Sequence, residues 1–217
     1  SMNRKAQGRK VDPITLAVIR GALETTQREM SMTLEKTARS SVFNVAHDYS
    51  NALFNARGEM IIQGQDIPIH LGGLMPAMKA VIHYLGDDVH EGDVIYHNDP
   101  VLMGSHILDC CMYKPVFYQG KLMFWSVCKG HVTDIGGPVP AGYNPDAKEI
   151  YAEGLRIPPI KLYDKGRERK DVINFLLANV RSLRDWEGDL RAQLGTVQIG
   201  ERNMIALCDK YGPEQVS

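Results

Sequence analysis

The stretch 108–131, LDCCMYKPVFYQGKLMFWSVCKGH, decides the fold, because it holds two strand-like runs joined by a short turn. Both runs are rich in valine, phenylalanine, tyrosine and tryptophan, which favour strands, and YQGK lies between them. The pattern predicts an antiparallel β-hairpin with strands over 108–118 and 122–130. His131 follows the second strand directly. We therefore expect His131 to lie close to the residues that enter the first strand.

The sequence outside this hairpin predicts helices and further strands. A helix is expected from Asp12-Pro13, which is a typical helix start, to about Ser40. Next come a hairpin at 50–65 that turns at Arg57-Gly58, a helix at 71–86 and a strand at 92–100. The turn-forming DIGGPVPAGYNP precedes a short helix at 146–153, a turn at 164–166 and three helical segments at 169–183, 185–200 and 201–212. This order predicts an α+β fold with a mixed, largely antiparallel sheet, a long N-terminal helix and a helical C-terminal part.

Composition limits the function classes. The chain has 217 residues, 44% of them hydrophobic, and a formal net charge of −1 from 25 basic and 26 acidic residues. This balance provides no electrostatic field for nucleic acid or an anionic membrane. No apolar run reaches the length of a bilayer span, and no apolar signal-peptide region follows the basic N-terminus, so we expect a cytoplasmic protein.

Residues 1–12 are interpreted as a cleavage scar, Ser1-Met2, followed by a flexible N-terminus, and 13–217 as one domain. The four cysteines form no CxxC pair and are expected to be reduced. Cys110 and Cys128 fall in predicted strands, where we expect them to pack as small apolar residues.

Three residues of the central hairpin form a candidate metal site. His106 and Asp109 enter its first strand, and His131 leaves the second, 25 residues after His106. Two imidazoles and one carboxylate suit a divalent transition metal with positions left for water or substrate. Asp134, three residues after His131, is an alternative carboxylate ligand. Spacing alone favours the simpler interpretation, in which these polar residues are solvated strand ends.

Other polar residues are secondary candidates. His47-Asp48, just before the first hairpin, can supply a fourth ligand or a base. His97 and Asp99 follow the strand at 92–100 and are candidate outer residues of the same site, whereas His83 and His90 are expected at the surface. The sequence contains no GxGxxG or GxxxxGK[ST] loop and no GxSxG elbow. Neither a nucleotide site nor a serine nucleophile is therefore expected in this chain.

Seven blocks in order carry a family resemblance: GQDIPIHLGGL, EGDVIYHNDP, GSHILDC followed by KPVF, GHVTDIGG, EIYAEGLRIPPIKL, NVRSLRDWEGDLRAQ and GERNMIALCDKYG. Together they strongly resemble the hydantoinase B family, which includes ATP-dependent hydantoinase and oxoprolinase B parts and the large subunits of acetone and acetophenone carboxylases. The resemblance spans residues 13–211. Since family members are several-fold longer, it implies that the chain is an N-terminal portion or a truncated product, a hydantoinase B-type metal-binding domain.

The resemblance assigns roles to matching residues. It implies that His106, Asp109 and His131 bind a catalytic divalent metal, which reverses the interpretation from spacing alone. Asp48 matches an additional ligand, and Asp48 and Asp134 are the candidate catalytic carboxylates. Zinc, manganese and iron all occur in the family, and the donor set does not choose among them. The family usually has NDPYxGG where this chain has NDPVLMG, which makes the rim more apolar and affects substrate choice.

The implied mechanism has two stages. A hydantoinase A-type partner subunit uses ATP to phosphorylate a carbonyl or enol oxygen of the small-molecule substrate, and the activated species passes to the metal site. The leading hypothesis is a hetero-oligomeric ATP-dependent hydantoinase or oxoprolinase that opens a cyclic amide. The alternatives are an acetone- or acetophenone-type carboxylase and a non-catalytic assembly fragment.

Overall fold

The computed structural model of the chain describes residues 12–37, 49–65, 71–98, 109–131, 155–180 and 183–216. The helices are α1 (Pro13–Thr37), α2 (Leu71–Leu85), α3 (Lys170–Ala178), α4 (Leu183–Tyr211) and α5 (Pro213–Val216). The strands are β1 (Tyr49–Asn55), β2 (Met60–Gln65), β3 (Val94–His97), β4 (Asp109–Tyr118), β5 (Lys121–His131), β6 (Ile160–Asp164) and β7 (Arg167–Glu168). This content confirms the α+β class, the long N-terminal helix and the helical C-terminal part. No helix within these described ranges is both long and apolar enough to cross a bilayer.

The strands form one antiparallel sheet in the order β2-β1-β5-β4-β3-β6-β7. The predicted hairpin is its centre, with Asp109 opposite His131 at one end and Tyr118 opposite Lys121 at the other. The turn residues Gln119 and Gly120 have φ angles of 52° and 79°. Positive φ at both central residues is the conformation that closes a two-residue hairpin without splaying the strands. The sequence prediction of this hairpin is therefore confirmed.

Helices cover both faces of the sheet. Because successive strand residues point to opposite faces, Cys110, Met112 and Cys128 pack with Leu34 of α1 and Val197 of α4. The alternate strand residues of the other face, which include Tyr113, Trp125 and Val127, pack with Ala77, Met78 and Val81 of α2. We call these the α1/α4 face and the α2 face. Burial on both sides explains why the hairpin is so apolar, and it confirms the expected packing of Cys110 and Cys128 as buried free thiols.

Helix α4 differs from the sequence expectation. Residues 185–200 and 201–212 were expected to form separate helical segments, but Leu183–Tyr211 is one helix of 29 residues. Gly200 lies against the sheet, where a Cβ atom would overlap Ser126 Oγ and lie 3.0 Å from Met30 Sδ. This glycine allows close packing of the helix on the sheet and does not end the helix.

Two strands were missed. β6 and β7 flank the predicted turn at 164–166, but they are only five and two residues long. Helix α1 ends at Thr37, close to the expected Ser40. The short helix predicted at 146–153 lies outside the described residues. The missed strands extend the sheet beyond β3.

Candidate functional site

Asp109 and His131 are directly opposite each other at the open end of the β4–β5 hairpin. Residues in this relation have Cβ atoms about 4.5–5.5 Å apart and share one face of the sheet. Their backbone register assigns both to the α2 face. The expectation that the two ends of this hairpin meet is therefore confirmed. The other predicted site residues, Asp48, His106 and Asp134, lie outside the described residues, as do His47 and Asp99.

A row of buried polar residues lies immediately inside this pair. On the α2 face, Lys129 of β5 is opposite both Ser50 of β1 and Cys111 of β4, and Cys111 is opposite His97 of β3. Lys129 is 2% exposed, and the other three are completely buried. We call Ser50, Lys129, Cys111 and His97 the polar row. It crosses four strands, two residues inward from Asp109 and His131.

The polarity stops after this row. The next row on the α2 face is Ala52, Val127, Tyr113 and Ile95, and its one polar group is the Tyr113 hydroxyl. This hydroxyl lies 3.2 Å from Nδ1 of His97, which is a hydrogen-bond distance. Burial, followed by the neighbouring Cys111, raises the pKa of Tyr113 well above its ordinary value, so the phenol stays protonated. Buried polar chemistry on this face is therefore concentrated at the Asp109–His131 end.

Asn98 has an architectural role in the HNDP motif. Its backbone N–H donates to the carbonyl of Ile157 at 2.9 Å, its side-chain oxygen accepts from the Ile157 N–H, and its Nδ2 donates to the Leu155 carbonyl at 2.9 Å. These bonds hold the LRIPP segment beside the end of β3. The motif thus contributes both a buried histidine on the α2 face and an anchor for the chain that returns as β6.

A second group of potential ligands lies at the opposite end of β3. One ligand atom each from His90, Asp93 and Asp164 lies within 4.8 Å of the others. His90, which was expected at the surface, has a side chain that is 39% exposed, and its backbone N–H donates to Asp93 Oδ2 at 2.8 Å. The ammonium of Lys161 lies among these groups, 3.1 Å from Asp93 Oδ2 and 3.9 Å from Asp164 Oδ1.

Lys161 makes this second cluster an ion-pair network. Its Nζ also donates to Asp88 Oδ1 at 2.8 Å, and this hydrogen bond lowers the pKa of Asp88. Burial acts to lower the pKa of Lys161, but the hydrogen bonds that Lys161 donates to Asp88 and Asp93 outweigh it and the pKa is raised. The lysine already neutralises these carboxylates and ties β6 to the loop before β3. The geometry therefore suits a structural junction.

Sequence reasoning missed Ser50 and Lys129. The signal was present in the hairpin, because Lys129 is two residues before His131 and a strand places alternate residues on the same face. Burial was the missing information. An isolated lysine in a strand is ordinarily solvated, and only the α2 face shows that Lys129 is enclosed.

Comparison with known proteins agrees with the fold and with the sequence blocks. The profile of the hydantoinase B/oxoprolinase family matches residues 12–217. Caprolactamase subunit beta of Pseudomonas jessenii is 73% identical over 206 residues, which cover 95% of this chain and 36% of that protein. The chain thus spans a little over a third of the length of this curated relative.

Two solved structures share the fold. The ATP-dependent caprolactamase from Pseudomonas jessenii matches with a TM-score of 0.91 and 72% identity, over 96% of this chain and 36% of the matched chain. A nucleotide-free acetone carboxylase matches with a TM-score of 0.88 and 22% identity, over 97% of this chain and 28% of the matched chain, and at that identity the likeness concerns the fold alone. By sequence over nearly its whole length, this chain belongs to the hydantoinase B/oxoprolinase family.

Proposed function

We propose that this chain is the metal-binding catalytic part of an ATP-dependent hydrolase that opens a cyclic amide, and that the amide is a lactam of the caprolactam type. The observation that carries the proposal is the direct pairing of Asp109 with His131 beside the buried polar row. The 73% identity to a caprolactamase subunit supports the substrate class. That relative is described as a subunit, which supports an assembly with at least one further subunit.

The proposed metal ligands are His106, Asp109 and His131, with Asp48 as a fourth candidate. The donor set fits a divalent metal, since the hairpin register gives a carboxylate residue and an imidazole residue at adjacent positions on one face. Asp48 directly precedes Tyr49, whose backbone partner Gly130 is next to His131. Zinc, manganese and iron all accept such donors. When bound, the metal supplies a Lewis acid that polarises the amide carbonyl.

The chain's carboxylates have the complementary role. Asp48 and Asp134 are proposed as the residues that take the proton of the attacking water, since a carboxylate near the reacting carbon is a suitable general base. The overall reaction consumes ATP and two waters. One water adds its oxygen to the carbonyl carbon as the carbon–nitrogen bond breaks, the other releases the phosphoryl group as phosphate, and the products are a carboxylate, an amine, ADP and phosphate. The polar row, two residues inward from Asp109 and His131, is itself closed to bulk water.

ATP is assigned to a partner subunit of the hydantoinase A type. No phosphate-binding loop motif occurs in these 217 residues, and the relative's description as a subunit supports a second subunit that uses ATP. We therefore propose a hetero-oligomer that works in the cytoplasm, where ATP is supplied. A ketone carboxylase would use the same metal ligands, and an assembly module would need none of them.

Metal analysis of the purified chain tests the proposal. We expect about one divalent metal per chain by inductively coupled plasma mass spectrometry, and loss of it in His106→Ala and in His131→Ala. The matched control is His83→Ala, since His83 is exposed on α2. Metal retained in both ligand variants would refute the ligand assignment. A metal-free chain after reconstitution would favour the assembly module.

The reaction class needs a second assay. With a candidate ATP-using partner, the assembled enzyme should consume ATP only when caprolactam is present, and bicarbonate should have no effect. ATP use that requires both a ketone and bicarbonate would instead identify a carboxylase. The His131→Ala variant should abolish substrate turnover in either case.

A further inference from the structure

We propose that Lys129, with Ser50 beside it, forms an anion-binding position that holds the negatively charged oxygen produced when the cyclic amide opens. This inference rests on the proposed function, because it places the reacting carbonyl at the Asp109–His131 end of the α2 face. It gives a role in ligand binding to a buried lysine that is not among the proposed metal ligands. The ligand is a carboxylate or another anionic oxygen.

The position of Lys129 carries the argument. It is two residues before His131 on the same strand and the same face, a separation of about 7 Å at the rise of a β-strand. Lys129 is opposite Cys111, which is two residues after Asp109. The lysine is 2% exposed, so its ammonium is enclosed and does not extend into solvent. A four-carbon side chain is long enough to cover most of that separation.

Ser50 provides a second donor. It is opposite Lys129 in the β1–β5 register and is completely buried. Within the described part of the chain, its Oγ has no hydrogen-bond partner. A buried hydroxyl without a partner is costly. An anionic oxygen between the Ser50 hydroxyl and the Lys129 ammonium would accept a hydrogen bond from each. Neighbouring positions in one row of the sheet allow this convergence.

Chemistry selects an anion as the ligand. Once a base has taken the proton of the attacking water, the added oxygen and the phosphoryl oxygens of the activated amide carry negative charge, and the ring-opened product carries a carboxylate. Donors that are fixed in a buried site stabilise such charge more strongly than solvent does. Hydrogen bonds from a charged donor are also the stronger kind. We therefore assign Lys129 to binding of the anionic oxygen. The proposed general bases Asp48 and Asp134 accept the proton of the attacking water.

Binding of 6-aminohexanoate, the ring-opened product of caprolactam, tests the inference without turnover. Isothermal titration calorimetry would compare the metal-loaded wild-type chain with Lys129→Met, Lys129→Arg and Lys114→Met. The last is a matched control, since Lys114 is also buried, lies on the α1/α4 face and pairs with Glu201 at 3.4 Å. Inorganic phosphate in a parallel titration separates a phosphoryl group from a carboxylate as the source of the anion.

We expect about tenfold or greater loss of affinity in Lys129→Met, in line with a lost charged hydrogen bond. Lys129→Arg should retain most of the binding and Lys114→Met all of it. Wild-type affinity in Lys129→Met, or a wild-type chain that binds neither anion, would overturn the inference. If Lys129→Met does not fold, NMR spectra of the wild-type chain with ¹³C-labelled lysines test the inference instead. The resonance of Lys129 is identified by its absence in Lys129→Arg. The anion must then shift this resonance and leave that of Lys114 unchanged.

Failure of the proposed function would look different. Loss of metal in Lys129→Met, or absence of metal in the wild-type chain, concerns the metal site and is measured separately on the same samples. Anion binding that depends on Lys129 but not on metal would support the anion position by itself, while the ligand assignment is refuted only by metal retained in His106→Ala and His131→Ala. Normal metal content without anion binding would refute the anion position alone.

Discussion

Replacement of Gly200 by alanine should destabilise the chain, although alanine is the better helix former. Gly200 is in the interior of α4, where the helix crosses the sheet. A Cβ atom there would overlap Ser126 Oγ and would lie 3.0 Å from Sδ and 3.2 Å from Cε of Met30. Both neighbours are buried, Ser126 on β5 and Met30 on α1. The added methyl therefore has no free space on this side.

The magnitude follows from two opposing effects. Overpacking of a filled core costs about 1–3 kcal/mol, and the higher helix propensity of alanine returns up to about 1 kcal/mol. The net expectation is a loss of about 1–2 kcal/mol in the free energy of unfolding, which lowers Tm by about 2–8 °C for a chain of this size. Gly195 on the same helix is the control. Its nearest neighbour would be Thr33 Cγ2 at 3.8 Å, an ordinary contact.

The assay is urea denaturation of Gly200→Ala and Gly195→Ala beside the wild type, followed by circular dichroism. Gly195→Ala should be more stable than wild type by up to about 1 kcal/mol, so the two substitutions differ in sign. Adding Ser126→Ala to Gly200→Ala should restore part of the loss, because it removes the overlapping hydroxyl. Equal stability of the two single variants would refute the close packing of α4 on the sheet.

Three further predictions concern the ion-pair network and the thiols. Asp93→Asn removes one of the negative charges that pair with the largely buried ammonium of Lys161. Urea denaturation should show a loss of about 3 kcal/mol in the free energy of unfolding, and a loss below about 1 kcal/mol would contradict the network. Since the hydrogen bond from Lys161 lowers the pKa of Asp88, its contribution is present at neutral pH and is lost as pH falls through the lowered folded-state pKa. In a profile of Tm against pH, Lys161→Met should reduce the fall of Tm at acidic pH. An unchanged fall would contradict the contribution of the Lys161–Asp88 pair. Burial, followed by Asp209, raises the pKa of Cys208 to about 11, so iodoacetamide at pH 8 should label it slowly in the native chain and quickly in urea.

Local sequence patterns predicted the elements whose formation depends on nearby residues. The start of α1 at Asp12-Pro13 and the β4–β5 turn at Gln119-Gly120 are each encoded within a few residues. The 29-residue α4 was divided wrongly, because Gly200 is needed for contact with Ser126 on a distant strand. β6 was missed because its pairing partner, β3, precedes it by more than sixty residues, and β7, which pairs with β6, was missed because it is only two residues long.

The candidate site divides in the same way. Hairpin geometry by itself brought His131 next to Asp109, because antiparallel pairing follows from one turn and two strands. The family resemblance added His106 and Asp48 as expectations. Neither source indicated that Lys129 and Ser50 are enclosed, or that His90 joins Asp93 near Lys161, since burial depends on helices and strands from elsewhere in the chain.

The sequence alone thus determined the secondary-structure pattern, the central hairpin and the approach of Asp109 to His131. Tertiary structure alone decided the strand order, the face covered by α2, the burial of Lys129 and the pairing of Lys161 with Asp93. The physical reason is the range of the forces involved. Turns, caps and strand alternation act between neighbours in sequence, whereas burial and ion pairing depend on which distant segments pack together.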